Sequence, residues 1–181
     1  MTKERKIVIL IPARLASTRF RKKVMHKLFG IPMIEHVRRR ALDCGVTEKI
    51  IVASGDREIL ETVKHYGGEV KQTYRDHLSG TTRVAEAVED IDCTHVILIQ
   101  GDEPLIQKEH LKKLTAAINN NPDIDSWNSI SDLHSEKELN DINVVKAALN
   151  EDGQIIYFFR KSPSYAEFYN QIKYIKKVQG L

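Results

Sequence analysis

As far as Pro122, short and almost uninterrupted β-branched runs alternate with amphipathic stretches of helical period, and this alternation leaves few folds open. Ile7, Val8, Ile9, Leu10 and Ile11 are continuously apolar, so Lys6 to Pro12 is expected as a strand buried on both faces. Pro32 to Cys44 is expected as a helix, with Pro32 in its first turn, Gly45 as its stop, and Met33, Ile34, Val37 and Ala41 as its inner stripe. A strand over Lys49 to Ala53 follows, then a helix from Arg57 to Tyr66 closed by Gly67-Gly68. Glu69 to Thr73 is the next strand. After a polar loop come a helix from Thr82 to Asp90, a buried strand over His95 to Ile99, and a helix from Gln107 to Asn119.

Strand and helix in strict alternation imply a parallel sheet with right-handed crossovers and helices on both faces. In such sheets ligands bind beyond the carboxyl ends of the strands, where the strand order switches. Pro12 to Lys23 and Gln100 to Pro104 are therefore expected on one rim, sharing a site. After Pro122 the pattern changes. Trp127 to Ser131, Val144 to Leu149 and Gln154 to Phe159 are expected strands, the last two joined through Asn150-Glu151-Asp152-Gly153 as a hairpin. They read as an antiparallel extension of the sheet. The tail from Lys161 to Leu181 has no clear stop, and Val178-Gln179-Gly180-Leu181 reads as the start of a strand.

Composition removes several classes of function. No apolar run approaches the roughly 18 residues needed to cross a bilayer. The Ile7–Ile11 run is too short for a signal-peptide core and no small-residue cleavage site follows it, so a cytoplasmic location without membrane insertion is expected. Cys44 and Cys93 lack both metal-ligand spacing and a disulfide framework, which leaves inert, partly buried thiols. The formal net charge of +3 does not argue for nucleic acid, and no aromatic stacking platform pairs with the charges.

Charge distribution is more telling. Arg14, Arg19, Arg21, Lys22, Lys23 and Lys27 crowd one stretch that holds no carboxylate. The segment Pro12-Ala13-Arg14-Leu15-Ala16-Ser17-Thr18-Arg19 combines small residues, whose backbone N–H groups stay free, with fixed positive charge, a combination suited to a polyphosphate. It lacks the glycines of a Walker loop. A solvated basic loop is the bland alternative, and the position after the first parallel strand favours phosphate. Gln100-Gly101-Asp102-Glu103-Pro104 ends another buried strand. Asp102 opposite the cations suits Mg²⁺, which takes oxygen ligands and is shared with substrate phosphates, against the alternative of a helix-capping acid. Glu103 could as easily face solvent. In His77-Leu78-Ser79-Gly80-Thr81-Thr82-Arg83 an N-cap and base recognition are both open, and composition does not choose between them.

The segment Ile11 to Arg19, Lys23, Gly30 to Ile34, Ser79-Gly80-Thr81, Arg83, Gln100 to Ile106, Asn143 to Lys146 and Tyr157 to Arg160 together resemble the CMP-Kdo synthetases, the 3-deoxy-manno-octulosonate cytidylyltransferases. The resemblance implies a three-layer Rossmann-like nucleotide-diphospho-sugar transferase fold, α/β, with a mostly parallel sheet and an antiparallel extension. It implies one cytidylyltransferase domain over residues 1–181, with a nucleotide-binding part (1–122) and a partial sugar-binding and dimerisation part (123–181). The implied reaction takes CTP and a sugar acid to CMP-sugar and pyrophosphate, for surface polysaccharide or lipopolysaccharide synthesis, with Mg²⁺ as cofactor. By the same resemblance Pro12, Ala13, Arg14, Ser17, Arg19 and Lys23 fall on the triphosphate loop, Ser79 and Gly80 on the nucleotide-recognition segment, and Gln100 faces the sugar acid. Asp102 falls on a magnesium ligand, so Arg14, Lys23 and Asp102 are the expected catalytic set. The family is homodimeric.

Three departures stand out. Arg21-Lys22 replace the Pro-Gly that usually precedes the loop lysine, and Thr82 replaces the acidic residue before Arg83. The family also continues further, through a sugar-contacting helical segment and a late aspartate that binds a second metal, so the chain is expected to be C-terminally truncated relative to it. Two other readings stand beside CMP-Kdo synthesis. One is a cytidylyltransferase for a different sugar acid, and the other is a catalytically weak or inactive nucleotide-binding domain.

Overall fold

The computed structural model describes residues 5–16, 20–161 and 167–178; Ser17 and Arg19, and the expected strand start beyond Val178, lie outside these. The architecture is mixed α/β. One compact unit runs to Asp123 and a second begins at Ile124.

In the first unit β1 (Ile7–Pro12) leads through a 3-10 turn (Lys23–Met25) to a hairpin of β2 (Lys27–Leu28) and β3 (Ile31–Pro32), then α1 (Met33–Asp43). There follow β4 (Ile50–Ser54), α2 (Arg57–His65), β5 (Glu69–Gln72), α3 (Gly80–Val88), β6 (His95–Leu98) and α4 (Lys108–Asn120). The sheet order is β5-β4-β1-β6, with every pairing parallel. The chain steps from β1 to β4 and β5 on one side, then crosses back to lay β6 on the other side of β1. The order therefore switches between β1 and β6, and the crevice beyond their carboxyl ends is the natural ligand site of such a sheet.

Val8, Ile9, Leu10 and Ile11 are fully buried, as their unbroken apolar run requires. Alternation sends Val8 and Leu10 to the face covered by Val84 and Ala87 of α3, together with Ile51 and Ala53. Ile9 and Ile11 point the other way, toward the side where α1 packs on β4 and meets α4. Of the expected inner stripe of α1, Ile34, Val37 and Ala41 are buried and Met33 is only half-buried, while Glu35, which is no part of it, is fully buried. Its charge is compensated locally, since Arg38 donates Nε and Nη2 to its two oxygens at 2.7 Å each and Arg39 Nε donates at 2.7 Å. Helix α3 begins two residues earlier than expected because Ser79 caps it, with its Oγ accepting the Thr82 amide at 3.2 Å. Thr82 Oγ1 in turn donates to the Ser79 carbonyl at 3.0 Å, so the hydroxyl secures the cap where the resembled family has an acid.

Lys22 adopts φ 54, the left-handed region that favours glycine. A lysine thus occupies a backbone conformation that glycine adopts without cost. Cys44 is buried and Cys93 half-buried, and burial raises the pKa of both thiols, which disfavours the thiolate.

In the second unit the order is β7 (Ile130–Ser131), α5 (Glu136–Asn140), β8 (Lys146–Leu149), β9 (Ile155–Phe159), α6 (Phe168–Gln171) and β10 (Ile175–Val178). The three expected strands are present as β7, β8 and β9 and, together with β10, which the tail does not announce, form a four-stranded antiparallel sheet in the order β7-β10-β8-β9. The expected hairpin closes through the Asn150 amide on the Gln154 carbonyl at 2.9 Å, with Gly153 at φ 77. Lys146, fully buried, donates Nζ to the Asp141 carbonyl at 2.7 Å, and Arg160 Nη1 donates to the Ile142 carbonyl at 3.0 Å. The Asn143–Lys146 and Tyr157–Arg160 segments therefore meet across β8 and β9, where Lys146 pairs with Phe159. A small core of Leu133, Leu139 and Ile175 closes the unit.

Candidate active site

Beyond the carboxyl ends of β1 and β6 lies an open cleft of about 250 Å³. Pro12, Ala13, Arg14, Ala16, Lys23 and Val24 form its wall after β1. Gln100, Gly101 and Asp102 form the wall after β6, while His77, Ser79, Gly80 and Arg83 complete it from the start of α3. The sequence segments expected on one rim thus line one cleft, and the segment whose role stood open, His77 to Arg83, lines it too.

Close approach of backbone makes this possible. A Cβ on Gly101 would sit 2.9 Å from the Pro12 carbonyl oxygen and 3.2 Å from Ile34 Cδ1. A Cβ on Gly80 would sit 2.9 Å from Pro12 Cγ and 3.1 Å from Gln100 Oε1. Both glycines let three chain segments converge where a side chain would hold them apart.

The loop after β1 is tied at several points. The Ala13 amide donates to the Ala53 carbonyl at 2.9 Å, and the Leu15 amide donates to Asp56 Oδ2 at 2.8 Å. The Lys22 amide returns to the Leu15 carbonyl at 3.2 Å, and Lys22 Nζ pairs with Glu58 at 2.6 Å. Arg14 is exposed at the cleft wall, and Lys23 Nζ lies 2.8 Å from Asp102 Oδ2. One cation and one carboxylate therefore face each other across the crevice. Glu103, beside them, is pushed up first by burial and then by the Asp102 charge, with Lys23 opposing.

Arg83 is buried, and its Nη1 donates to the hydroxyl of Thr73, itself buried at the end of β5. Among the described residues no carboxylate pairs with this guanidinium, which leaves positive charge on the α3 side of the cleft. His77 Nε2 lies 2.6 Å from Glu86 Oε2, with both side chains almost fully buried. Nothing in the sequence marks Glu86 as part of the site. It occupies a helical position one turn past Arg83, and its partners belong to an irregular loop that periodicity does not describe.

As a metal centre the cleft offers a partial donor set. Among the described residues no cluster of three or more His, Cys, Asp or Glu side chains is arranged to hold an ion alone. The half-exposed Asp102 carboxylate, facing cationic side chains, fits the mode in which Mg²⁺ is held by one or two carboxylates and completed by water and substrate phosphate.

Residues 8–179 match the family model described as Cytidylyltransferase. Among curated relatives, the 3-deoxy-manno-octulosonate cytidylyltransferase of Geobacter metallireducens is 35% identical over 169 residues, covering 93% of this chain and 66% of that protein. The enzyme of the same name from Wolinella succinogenes is 39% identical over 159 residues, covering 84% of this chain and 64% of that protein. A solved structure of CMP:2-keto-3-deoxy-manno-octonic acid synthetase complexed with CTP superposes with a TM-score of 0.83 at 31% identity, over 96% of this chain and 71% of that one. A cytidylyltransferase from Leptospira borgpetersenii, at 22% identity and a TM-score of 0.59, shares the fold. The chain spans about two thirds of the length of the curated relatives it matches.

Proposed function

The chain belongs to the cytidylyltransferase family, and on that premise we propose that it activates a sugar acid, 3-deoxy-manno-octulosonate, with CTP to give the CMP-sugar and pyrophosphate. The observation that carries this reading is the convergence of Arg14, Lys23 and Asp102 with the Ser79–Arg83 segment in one cleft at the strand-order switch. In the reaction the anomeric hydroxyl oxygen of the sugar forms a bond to the α-phosphorus of CTP and gives up its proton to solvent, the bond from that phosphorus to the bridging oxygen breaks, and pyrophosphate leaves with the electron pair. Arg14 and Lys23 bind the phosphate oxygens and stabilise the charge that develops on the leaving group. Ser17 and Arg19 are proposed for the same loop by resemblance. Ser79 and Gly80 take the nucleotide side, and Gln100 the sugar acid. Asp102 would hold Mg²⁺ jointly with the triphosphate, and the ion when bound would neutralise phosphate charge. Positioning and electrostatics carry the catalysis, with no covalent intermediate on the protein.

A cytoplasmic homodimer supplying surface polysaccharide or lipopolysaccharide synthesis completes the proposal. Supporting it, no helix among the described residues is long and apolar enough to cross a membrane, and edge strand β9 exposes Ile156, Tyr157 and Phe158. The test is pyrophosphate release by the purified chain with CTP, Mg²⁺ and 3-deoxy-manno-octulosonate. Release that disappears in Asp102→Ala supports the reading, and release with a different sugar acid alone would reassign the substrate.

A further inference from the structure

The loop between β5 and α3 carries His77 and Ser79 into the cleft, yet little of the usual kind holds its middle. The β4–β5 ladder ends at Gln72, and the Thr73 amide makes the last bond to that strand pair, on the Ser54 carbonyl at 3.0 Å. At the far end Ser79 caps α3. Between them, Tyr74 to Leu78 make no backbone–backbone hydrogen bond among the described residues. Apolar packing does not anchor them either, since Tyr74 and Leu78 are 81% and 97% exposed.

What holds the segment is one carboxylate. Glu86 Oε1 accepts the Tyr74 amide at 2.7 Å, and Oε2 accepts the Arg75 amide at 3.2 Å and meets His77 Nε2 at 2.6 Å. One α3 turn before it, Arg83 grips the Thr73 hydroxyl; one turn after it, Glu89 pairs with Arg75 at 2.9 Å in solvent. Arg83 and Glu86 of α3 and Glu89 at its C-cap thus face the loop, and Glu86, with its nearly buried side chain, makes three of the contacts. The Tyr74 amide first, and His77 after it, hold this carboxyl below its usual range, as expected for an anion that is the preferred acceptor there.

We infer that Glu86 is the positioning residue for recognition of the nucleobase, clamping the 74–78 loop so that His77 and Ser79 are presented to the cytosine end of the ligand. The inference rests on the nucleotide reading of the cleft and adds to it a residue that does not itself line the cleft. The triphosphate side, built on Arg14 and Lys23, hangs from β1, and among the described residues of that loop none bonds to Glu86. Loss of the clamp therefore separates two ligands. Glu86→Gln keeps size but loses the charge and turns an amide N–H₂ toward groups that are themselves donors.

Calorimetric titration of the full chain with CTP and with inorganic pyrophosphate, each with Mg²⁺, is the test, joined to amide hydrogen exchange. Glu86→Gln is expected to weaken CTP roughly tenfold and leave pyrophosphate unchanged, as loss of charge-assisted hydrogen bonds to one loop implies. Exchange at Tyr74 and Arg75 should accelerate at least about tenfold, while Val8 and Leu10 keep their protection and so report an intact fold. Glu89→Gln, which removes only the solvent-exposed pair, should change neither affinity. Unchanged CTP affinity, or an equal loss for both ligands, would overturn the inference. Failure of the wild-type chain to bind CTP would instead sink the nucleotide reading, and the exchange result would still decide whether Glu86 clamps the loop.

Discussion

Lys23 and Asp102 stand 79 positions apart in the chain, and Nζ of the first lies 2.8 Å from Oδ2 of the second. The pair joins the loop after β1 to the turn after β6, the two strands between which the sheet order switches. With the side chains 40% and 42% exposed, the pair is screened and contributes at most about 1 kcal/mol to stability. Its value lies in what it presents to a ligand.

That contrast is testable. Lys23→Met and Asp102→Asn should each leave the thermal midpoint within a few degrees of wild type, and each should lower pyrophosphate release by at least roughly a hundredfold. A large loss of stability with modest loss of rate would assign the pair a structural role instead. Thermal denaturation beside a coupled pyrophosphate assay reads both quantities.

Gly101 is expected to tolerate no side chain. Alanine there would place Cβ 2.9 Å from the Pro12 carbonyl, a backbone atom of a fully buried strand that cannot swing away. Gly101→Ala should cost about 1–3 kcal/mol, the range for forcing atoms into a packed site. Urea denaturation measures it, and a neutral result would mean that the end of β1 is free to move.

Lys22 supports a comparison that isolates backbone strain. At φ 54 a Cβ is penalised, so Lys22→Gly should be more stable than Lys22→Ala by about 1 kcal/mol. Both variants lose the Glu58 pair, which cancels in the difference. Equal midpoints for the two variants would contradict a left-handed Lys22.

Acid should destabilise the chain late. Glu86 is held below its usual range mainly by the Tyr74 amide, Glu138 mainly by the His134 amide, and Asp141 mainly by the Asn143 amide. For a carboxyl depressed in the native state, the stabilisation is fully present above the unfolded value of about 4. It is lost as pH falls through the lower folded values. Thermal midpoints should therefore stay flat from pH 7 to about 5 and drop below about 4; a fall beginning near pH 6.5 would place the transition on histidines.

Much of the first unit was legible in the sequence because its signals are long and periodic. The Ile7–Ile11 run, the α1 stripe and the glycines at 45 and 67 mark elements whose burial pattern repeats, and the strand ends locate the cleft by topology alone. What stayed illegible depends on pairings between distant residues. Glu35 breaks an apolar stripe and is buried only because Arg38 and Arg39 neutralise it from the same helix. Glu86 reads as an exposed helical acid until the 74–78 loop folds onto it. Two-residue strands such as β2 and β3 carry no periodicity, and β10 is a lysine-containing strand whose pairing with β7 and β8 the tail does not announce. Lys22, part of a departure from the resembled motif, takes the left-handed conformation, which nothing in its residue type announces.

The central claim is that the crevice beyond β1 and β6 is a CTP site. Backbone amide shift mapping of the chain titrated with CTP and Mg²⁺ tests it most directly. The account predicts saturable shifts concentrated at Ala13–Ala16, Lys23–Val24, His77–Arg83 and Gln100–Asp102, absent in Arg14→Ala/Lys23→Met. Shifts that cluster elsewhere, or no shifts at millimolar CTP, would contradict it.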